Sequence, residues 1–180
     1  EVLFSSSLSF GSDNWSTAQW VILTGVDDNV SDDNQTTTLT LSLSSVDSKY
    51  DNSSLSTKTV VVTTTDNDSA NFLVSQSTAV VSENGSVSDN FSVVLTSEPT
   101  DNVTVTVGDN DSTEVSASPS TLTFSPEDWS VAQWVTLTGK DDNVSDDNQS
   151  TLLTLSLSSV DSKYDNSSLS PKTVVVTTTD

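Results

Sequence analysis

The residues with the clearest chemical potential are aspartates in two acidic loops. The sequence Asp-Asp-Asn-Val-Ser-Asp-Asp-Asn occurs at 27–34 and again at 141–148. Carboxylates this close repel by roughly 1 kcal/mol per pair even in a water-like dielectric. Loops of Asp, Asn and backbone carbonyls supply the roughly six to eight oxygens that Ca²⁺ takes. Each loop therefore predicts either a calcium site or a solvated acidic turn. The predicted ligands are Asp27, Asp28, Asp32, Asp33, Asp141, Asp142, Asp146 and Asp147.

The composition excludes several classes of function. The chain has no Cys, no His and no Arg, so Cys/His zinc sites, catalytic thiols and Ser-His-Asp triads are excluded. Five lysines face 26 acids, for a net charge of −21, which disfavours nucleic acid and anionic membrane surfaces as partners. A glycosidase needs two carboxylates across a cleft, and adjacent aspartates in an open loop are poorly placed for that chemistry. We therefore predict that the chain is not an enzyme.

Asparagine is used almost entirely in potential N-glycosylation sequons. Twelve of the thirteen asparagines begin Asn-x-Ser/Thr. Sequons are modified on exposed surfaces of secreted proteins, although a preference for Asn and Ser in turns would give the same pattern. The sequon asparagines are Asn14, Asn29, Asn34, Asn52, Asn67, Asn84, Asn90, Asn102, Asn110, Asn143, Asn148 and Asn166.

An internal repeat organises the chain. The segment that starts at Trp15 recurs at Trp129, an offset of 114 residues, and 48 of the 59 positions from Leu8 to Asp66 match their counterparts. We interpret 1–66 as the C-terminal half of a preceding repeat and 67–180 as one complete repeat. About 110 residues is an ordinary size for a sandwich domain with one core.

The hydrophobic pattern predicts strands throughout. Apolar residues alternate with polar ones at 91–95, 103–107 and 153–157, and turn-forming residues separate these runs. The expected fold is all-β, as tandem immunoglobulin-like β-sandwich repeats. Because Trp20 and Trp134 share the outward parity of their strands, we expect Trp134 to be less buried than its neighbours Val135 and Leu137.

In these segments the sequence resembles the Calx-β family. Val81-Ser82-Glu83, the aspartates after the alternating run at 103–107, the loop at 141–148 and the closing Asp66-Asn67-Asp68 match that family's acidic motifs in order. The resemblance implies a Calx-β-like sandwich with a calcium cluster near a domain junction. It adds Glu83, Asp109, Asp111, Asp180, Asp66 and Asp68 to the expected ligands. Asn67 replaces the middle acid of the closing tripeptide.

These observations predict a structural repeat of an extracellular cell-surface fibre, adhesin stalk, sheath or S-layer, with Ca²⁺ rigidifying its domain junctions. The expected partners are neighbouring repeats of the same chain, identical chains in a fibre or lattice, and glycans. The alternative is a carbohydrate-binding module that uses Trp20 and Trp134 as stacking platforms. We expect the chain to be part of a longer secreted polypeptide.

Overall fold

A computed structural model describes residues 2–4, 7–51, 53–109 and 113–180. Within these ranges the regular structure consists of β-strands, without any helix. The chain forms two compact units: unit 1 comprises Glu1–Asp28 and Asp32–Asn67, and unit 2 comprises Asn29–Ser31 and Asp68–Asp180. Each unit is described by itself below.

Unit 2 is a two-layer β-sandwich of the immunoglobulin-like type. Its strands are β5 (Phe72–Val74), β6 (Thr78–Ser82), β7 (Ser88–Leu95), β8 (Val103–Asp109), β9 (Val115–Ser118), β10 (Thr121–Phe124), β11 (Gln133–Gly139), β12 (Gln149–Ser158) and β13 (Lys172–Thr179). One sheet has the order β10-β8-β12-β13-β6 and the other β5-β7-β11-β9. Neighbouring strands are antiparallel except for β13 and β6, which run parallel.

Period-2 alternation explains the core of unit 2, because alternate side chains of a strand point to opposite faces of its sheet. In β7, β8, β11 and β12 the buried residues occupy every second position, and most of them are apolar. The largest fully buried side chains are Tyr164, Phe72, Phe91, Phe124, Leu137, Leu153 and Leu155. The residues that alternate with the core side chains along these strands point outward and are mostly Ser and Thr, as expected for a surface exposed to water.

Unit 1 contains two separate two-stranded sheets. Its strands are β1 (Val2–Phe4), β2 (Leu23–Gly25), β3 (Gln35–Leu41) and β4 (Lys58–Thr64). β1 pairs with β2, and β3 pairs with β4. These strands repeat parts of β9, β11, β12 and β13. The registers agree as well, since Thr37 faces Val62 in unit 1 and Thr151 faces Val176, at the same two repeat positions, in unit 2.

The structure confirms part of the predicted fold and corrects the rest. The all-β, immunoglobulin-like sandwich is correct. Trp134 is 58% exposed whereas Val135 and Leu137 are fully buried, as its parity predicted. A tandem array of sandwiches is not shown, because unit 2 alone forms two packed sheets. The described residues of unit 1 form no strands equivalent to β5–β8.

One glycine sets the spacing between the two sheets of unit 2. A Cβ atom on Gly139, at the end of β11, would lie 2.3 Å from the carbonyl oxygen of Ser82 and 3.1 Å from the backbone nitrogen of Glu83. Real Cβ atoms do not approach a backbone oxygen so closely, so only glycine permits this contact. The approach brings the end of β6 against the end of β11.

We therefore expect Gly139→Ala to destabilise unit 2 by about 1–3 kcal/mol, the usual cost of overpacking. Denaturant-dependent hydrogen exchange of β11 and β13 in the full chain measures this loss. The matched control is Gly108→Ala in β8, where the added Cβ would meet its nearest atom, the carbonyl oxygen of Thr154, at an ordinary 3.8 Å. Equal losses in the two variants would contradict the close-approach argument.

Candidate metal centre

A group of acidic side chains gathers at the end of unit 2 where β6, β11 and β13 finish. Carboxylate oxygens of Glu114, Asp142 and Asp146 all lie within 4.8 Å of one another. Glu114 is only 6% exposed, whereas Asp142 and Asp146 are on the surface. In the described part of the chain this is the group of three acids that meets this spacing. We call these three residues the acidic cluster.

Backbone contacts place Glu114 beside the acidic loop. Its carbonyl oxygen accepts hydrogen bonds from the Lys140 N–H, at 2.9 Å, and from the Thr178 hydroxyl, at 3.4 Å. Lys140 directly precedes the loop at 141–148, and Thr178 belongs to β13. Glu114 is therefore fixed between the start of the loop and the strand that ends the unit.

Glu83 lies next to the acidic cluster through a different strand. Its backbone N–H donates to the carbonyl oxygen of Thr179, at 3.1 Å, immediately before Asp180. Burial raises the pKa of the Glu83 carboxyl above its ordinary value, and the negative charges of Asp180, Asp142, Asp146 and Glu114 raise it further. All of these causes act in one direction because each disfavours a charged Glu83.

The loop itself is held by short local hydrogen bonds. The Asp141 and Asp142 carboxylates accept from the N–H groups of Asn143 and Val144, at 3.1 and 2.8 Å. Asn143 and Asp147 have left-handed backbones, with φ of 62° and 65°. Asn and Asp tolerate this conformation better than other non-glycine residues, which explains why the loop turns sharply enough to bring Asp142 and Asp146 together.

The structure divides the predicted ligands of unit 2 into two sets. Asp142 and Asp146 belong to the acidic cluster, and the charges of Glu83 and Asp180 act on the same site. The Asp180 carboxylate also accepts a hydrogen bond from the Ser145 hydroxyl, at 3.1 Å. Asp109, Asp141 and Asp147 are exposed and do not belong to the cluster. Asp111 lies outside the described residues.

In unit 1 the equivalent aspartates are arranged by hydrogen bonds. Asp66 accepts from the N–H groups of Asp32 and Asp33, at 3.1 and 2.9 Å, and its own N–H donates to the Asn34 side-chain oxygen, at 3.0 Å. Asp33 has a left-handed backbone, as does its counterpart Asp147. The structure does not bring Asp27 and Asp28 into a group of three carboxylates within the described residues. Asp68 belongs to unit 2.

Glu114 was missed by the sequence analysis, although the sequence carries a signal for it. Glu114 directly precedes β9, which begins at Val115, and the sequence of the other copy has the same dipeptide, Glu1-Val2. These dipeptides are 113 residues apart, whereas the rest of the repeat is offset by 114, so an alignment at the fixed offset does not pair them. The strand pairings support the shifted alignment, because Val2 faces Gly25 as Val115 faces Gly139.

The sequon asparagines within the described residues are all on the surface. Asn14, Asn29, Asn34, Asn67, Asn84, Asn90, Asn102, Asn143, Asn148 and Asn166 are exposed. Asn52 and Asn110 lie outside the described residues. Exposure is required for glycosylation but does not establish it.

The raised pKa of Glu83 predicts a pH dependence of the metal-free protein. Since the folded state binds the Glu83 proton more tightly than the unfolded state, the unfolding free energy should rise as pH falls from neutral through the raised folded-state pKa, and level off below the ordinary glutamate pKa of about 4.3. Glu83→Gln should flatten this rise. Urea unfolding of unit 2 between pH 7 and pH 4, in chelator, measures it.

Exposed Glu127 provides the matched control, because Glu127→Gln removes one acid outside this region. The control variant should keep the wild-type slope. A slope unchanged by Glu83→Gln would show that the neighbouring carboxylates do not act on Glu83 in the folded protein.

Comparisons with known proteins identify no family. No family model matches the chain, and no curated protein matches it. The similar solved structures include the periplasmic chaperone SfaE, with TM-score 0.47, 4% identity and coverage of 61% of this chain and 56% of that chain. The E. coli chaperone DraB has TM-score 0.44, 6% identity and coverage of 61% and 54%. A PapD-like domain of human CEP192 has TM-score 0.45, 8% identity and coverage of 61% and 84%. The matched region thus spans about half of each chaperone.

These comparisons correct the identification from sequence. The resemblance to Calx-β repeats is wrong, because no family model matches the chain. The predicted function, a structural repeat of an extracellular fibre, adhesin stalk, sheath or S-layer, is therefore also wrong, and the carbohydrate-binding alternative is not favoured. The acidic motifs did not identify the family correctly, because short runs of Asp and Asn also form ordinary turns. The described residues of the chain contain no helix long and apolar enough to cross a membrane.

Proposed function

We propose that this chain is a secreted, non-catalytic β-sandwich module that binds a divalent cation at the acidic cluster. The observation that carries the proposal is the spacing of Glu114, Asp142 and Asp146, whose carboxylate oxygens lie within 4.8 Å of one another. Two oxygens bound to one Ca²⁺ at about 2.4 Å are at most about 5 Å apart. Three side chains can therefore reach one ion.

The type of donor favours Ca²⁺ over the other common divalent ions. Every side chain in the acidic cluster offers oxygen, and the chain has neither Cys nor His to favour zinc or copper. Mg²⁺ retains several waters and requires strict octahedral geometry, whereas Ca²⁺ accepts irregular sets of carboxylates. Glu83 and Asp180 add negative charge to the same site without being required as ligands.

Binding would stabilise the sandwich because the carboxylates come from separate parts of it. Glu114 directly precedes β9, and Asp142 and Asp146 belong to the loop between β11 and β12. In the unfolded chain Glu114 is far from this loop, so a cation that needs all three residues binds the folded state selectively. A ligand with that preference raises stability by mass action.

The same surface chemistry supports a location outside the cell. The exposed sequons, the absence of cysteine and the high negative charge suit a secreted protein that remains soluble without disulfides. We propose an extracellular location at the cell surface, with N-glycans on the exposed sequons.

The cation proposal predicts that 1 mM Ca²⁺ raises the unfolding midpoint of unit 2 relative to chelator. If the dissociation constant is about 10 μM, the gain is about 2.7 kcal/mol. Glu114→Gln should abolish most of it by removing the buried ligand charge. Thermal unfolding and calorimetric titration of the full chain measure both effects.

Glu127→Gln again serves as the control and should keep the full calcium response. Magnesium at the same concentration should stabilise less. Identical unfolding curves in Ca²⁺ and in chelator for the wild-type chain would end the proposal and leave an acidic, solvated surface.

Glycosylation predicts a protein heavier than its polypeptide when isolated from its natural source. Asn84 lies in the turn that contains Gly85, so its side chain is well exposed for modification. Asn84→Gln should lower the intact mass by one glycan, whereas Asn71→Gln, at the asparagine outside any sequon, should not. A natural protein with the bare polypeptide mass would refute the prediction.

A further inference from the structure

The strands of unit 1 expose the residues that form the core of unit 2. Leu41 is 47% exposed, whereas Leu155, 114 residues later, is fully buried. Val60 is 45% exposed and its counterpart Val174 is fully buried. The sequences around these positions are nearly identical, so the difference comes from what packs against them. We call the inward side of β2, β3 and β4 the open face.

Unit 2 shows what covers this face in a complete sandwich. There, β8 pairs with β12, β6 pairs with β13 and β7 pairs with β11. The side chains of β5–β8 that fill the core are Phe72, Ala79, Val81, Phe91, Val93, Leu95, Val103, Val105 and Val107. Among the residues of unit 1 that the structure describes, none forms an equivalent of these strands.

We propose that the open face of unit 1 binds a polypeptide segment with the strand pattern of β5–β8, supplied from outside residues 1–180, which completes a second sandwich. In this arrangement a β8-like strand pairs with β3, a β6-like strand runs parallel to β4, and a β7-like strand pairs with β2. The backbone hydrogen bonds provide affinity, and alternating apolar side chains fill the core.

A preformed turn in unit 1 adds specificity. In unit 2 the Tyr164 hydroxyl donates to the carbonyl oxygen of Ser97, at 2.7 Å, and the Asp161 carboxylate accepts from the Thr100 N–H, at 2.8 Å. Both contacts join the turn after β12 to the turn after β7. The completing segment should therefore carry a turn like Ser97–Thr100.

Unit 1 already holds its copy of this turn in the same conformation. The Tyr50 N–H donates to the Asp47 carbonyl at 2.9 Å, and the Asp47 carboxylate accepts from the Lys49 N–H at 3.0 Å. The matching distances at Asp161 are 3.0 and 2.9 Å. Yet Tyr50 is 62% exposed whereas Tyr164 is fully buried. Such preorganisation lowers the entropic cost of binding.

A second copy of the chain does not provide the missing strands. Its own β5–β8 already cover β11–β13, and transferring them to another unit 1 would expose an equal face. Each chain carries two faces of this kind and one set of β5–β8 strands. Exchange between copies therefore gains no net burial.

The test adds the missing strands to the full chain. Residues 68–113, joined ahead of Val2 through a flexible Gly/Ser linker, raise the local concentration of the segment into the millimolar range. We expect amides of β2, β3 and β4 to become protected from hydrogen exchange by at least tenfold. Ile22 just before β2, Thr36 and Thr38 in β3, and Thr57 just before β4 differ from their counterparts, so the masses of peptides that include them distinguish unit 1 from unit 2.

Adjacent valines of β4 provide matched variants. Val60 is on the open face, and Val61 points outward like its counterpart Val175. Val60→Asp should remove the protection and Val61→Asp should retain it. With residues 68–113 added as a separate polypeptide, Tyr50→Phe should weaken binding about tenfold, the value of about one hydrogen bond.

Two results would overturn the proposal. One is a fused chain whose unit 1 strands exchange as fast as in the chain without the added segment. The other is self-association of the chain of residues 1–180 that protects β2–β4 without any added segment, since the occupant would then be a second copy.

Discussion

β11, β12 and β13 each carry one apolar face, and in unit 2 that face is buried between two packed sheets, which β6, β7 and β8 complete by pairing with β13, β11 and β12. In unit 1, where strands equivalent to β6–β8 are not among the described residues, the matching side chains are exposed, as Val60 and Leu41 show. Burial of a Val or Leu side chain contributes about 1.5–3 kcal/mol. The stability of the sandwich thus depends on joining two halves that are distant in sequence.

The sequence predicts local structure better than it predicts packing. Alternation in Val135–Leu137 and in 153–157 correctly indicated strands and their inward residues. The duplicated segment also forms strands with one register in both copies. However, the burial of Tyr164 depends on Ser97, 67 residues away, and no local pattern encodes that contact.

The acidic cluster was likewise only partly predictable from the sequence. The loop at 141–148 attracted attention because its four aspartates are adjacent in sequence, but the structure joins only Asp142 and Asp146 with the distant Glu114. Side chains next to each other on a turn point in different directions, whereas residues four apart in the loop and a residue from another part of the fold can converge. Spacing in sequence therefore identified the correct loop without identifying its third carboxylate.

Close packing at Gly139 also determines which charges lie near Glu83. Its close approach to Ser82 and Glu83 forces the end of β6 against the end of β11, next to the acidic loop. The cost appears in the raised pKa of Glu83, which is partly buried among Asp180, Asp142, Asp146 and Glu114. The end of β6 cannot move away from β11 without exposing the core, so Glu83 stays close to its acidic neighbours. A proton on Glu83 or a cation bound beside it would each relieve the repulsion, because each reduces the net negative charge at this end of the sandwich.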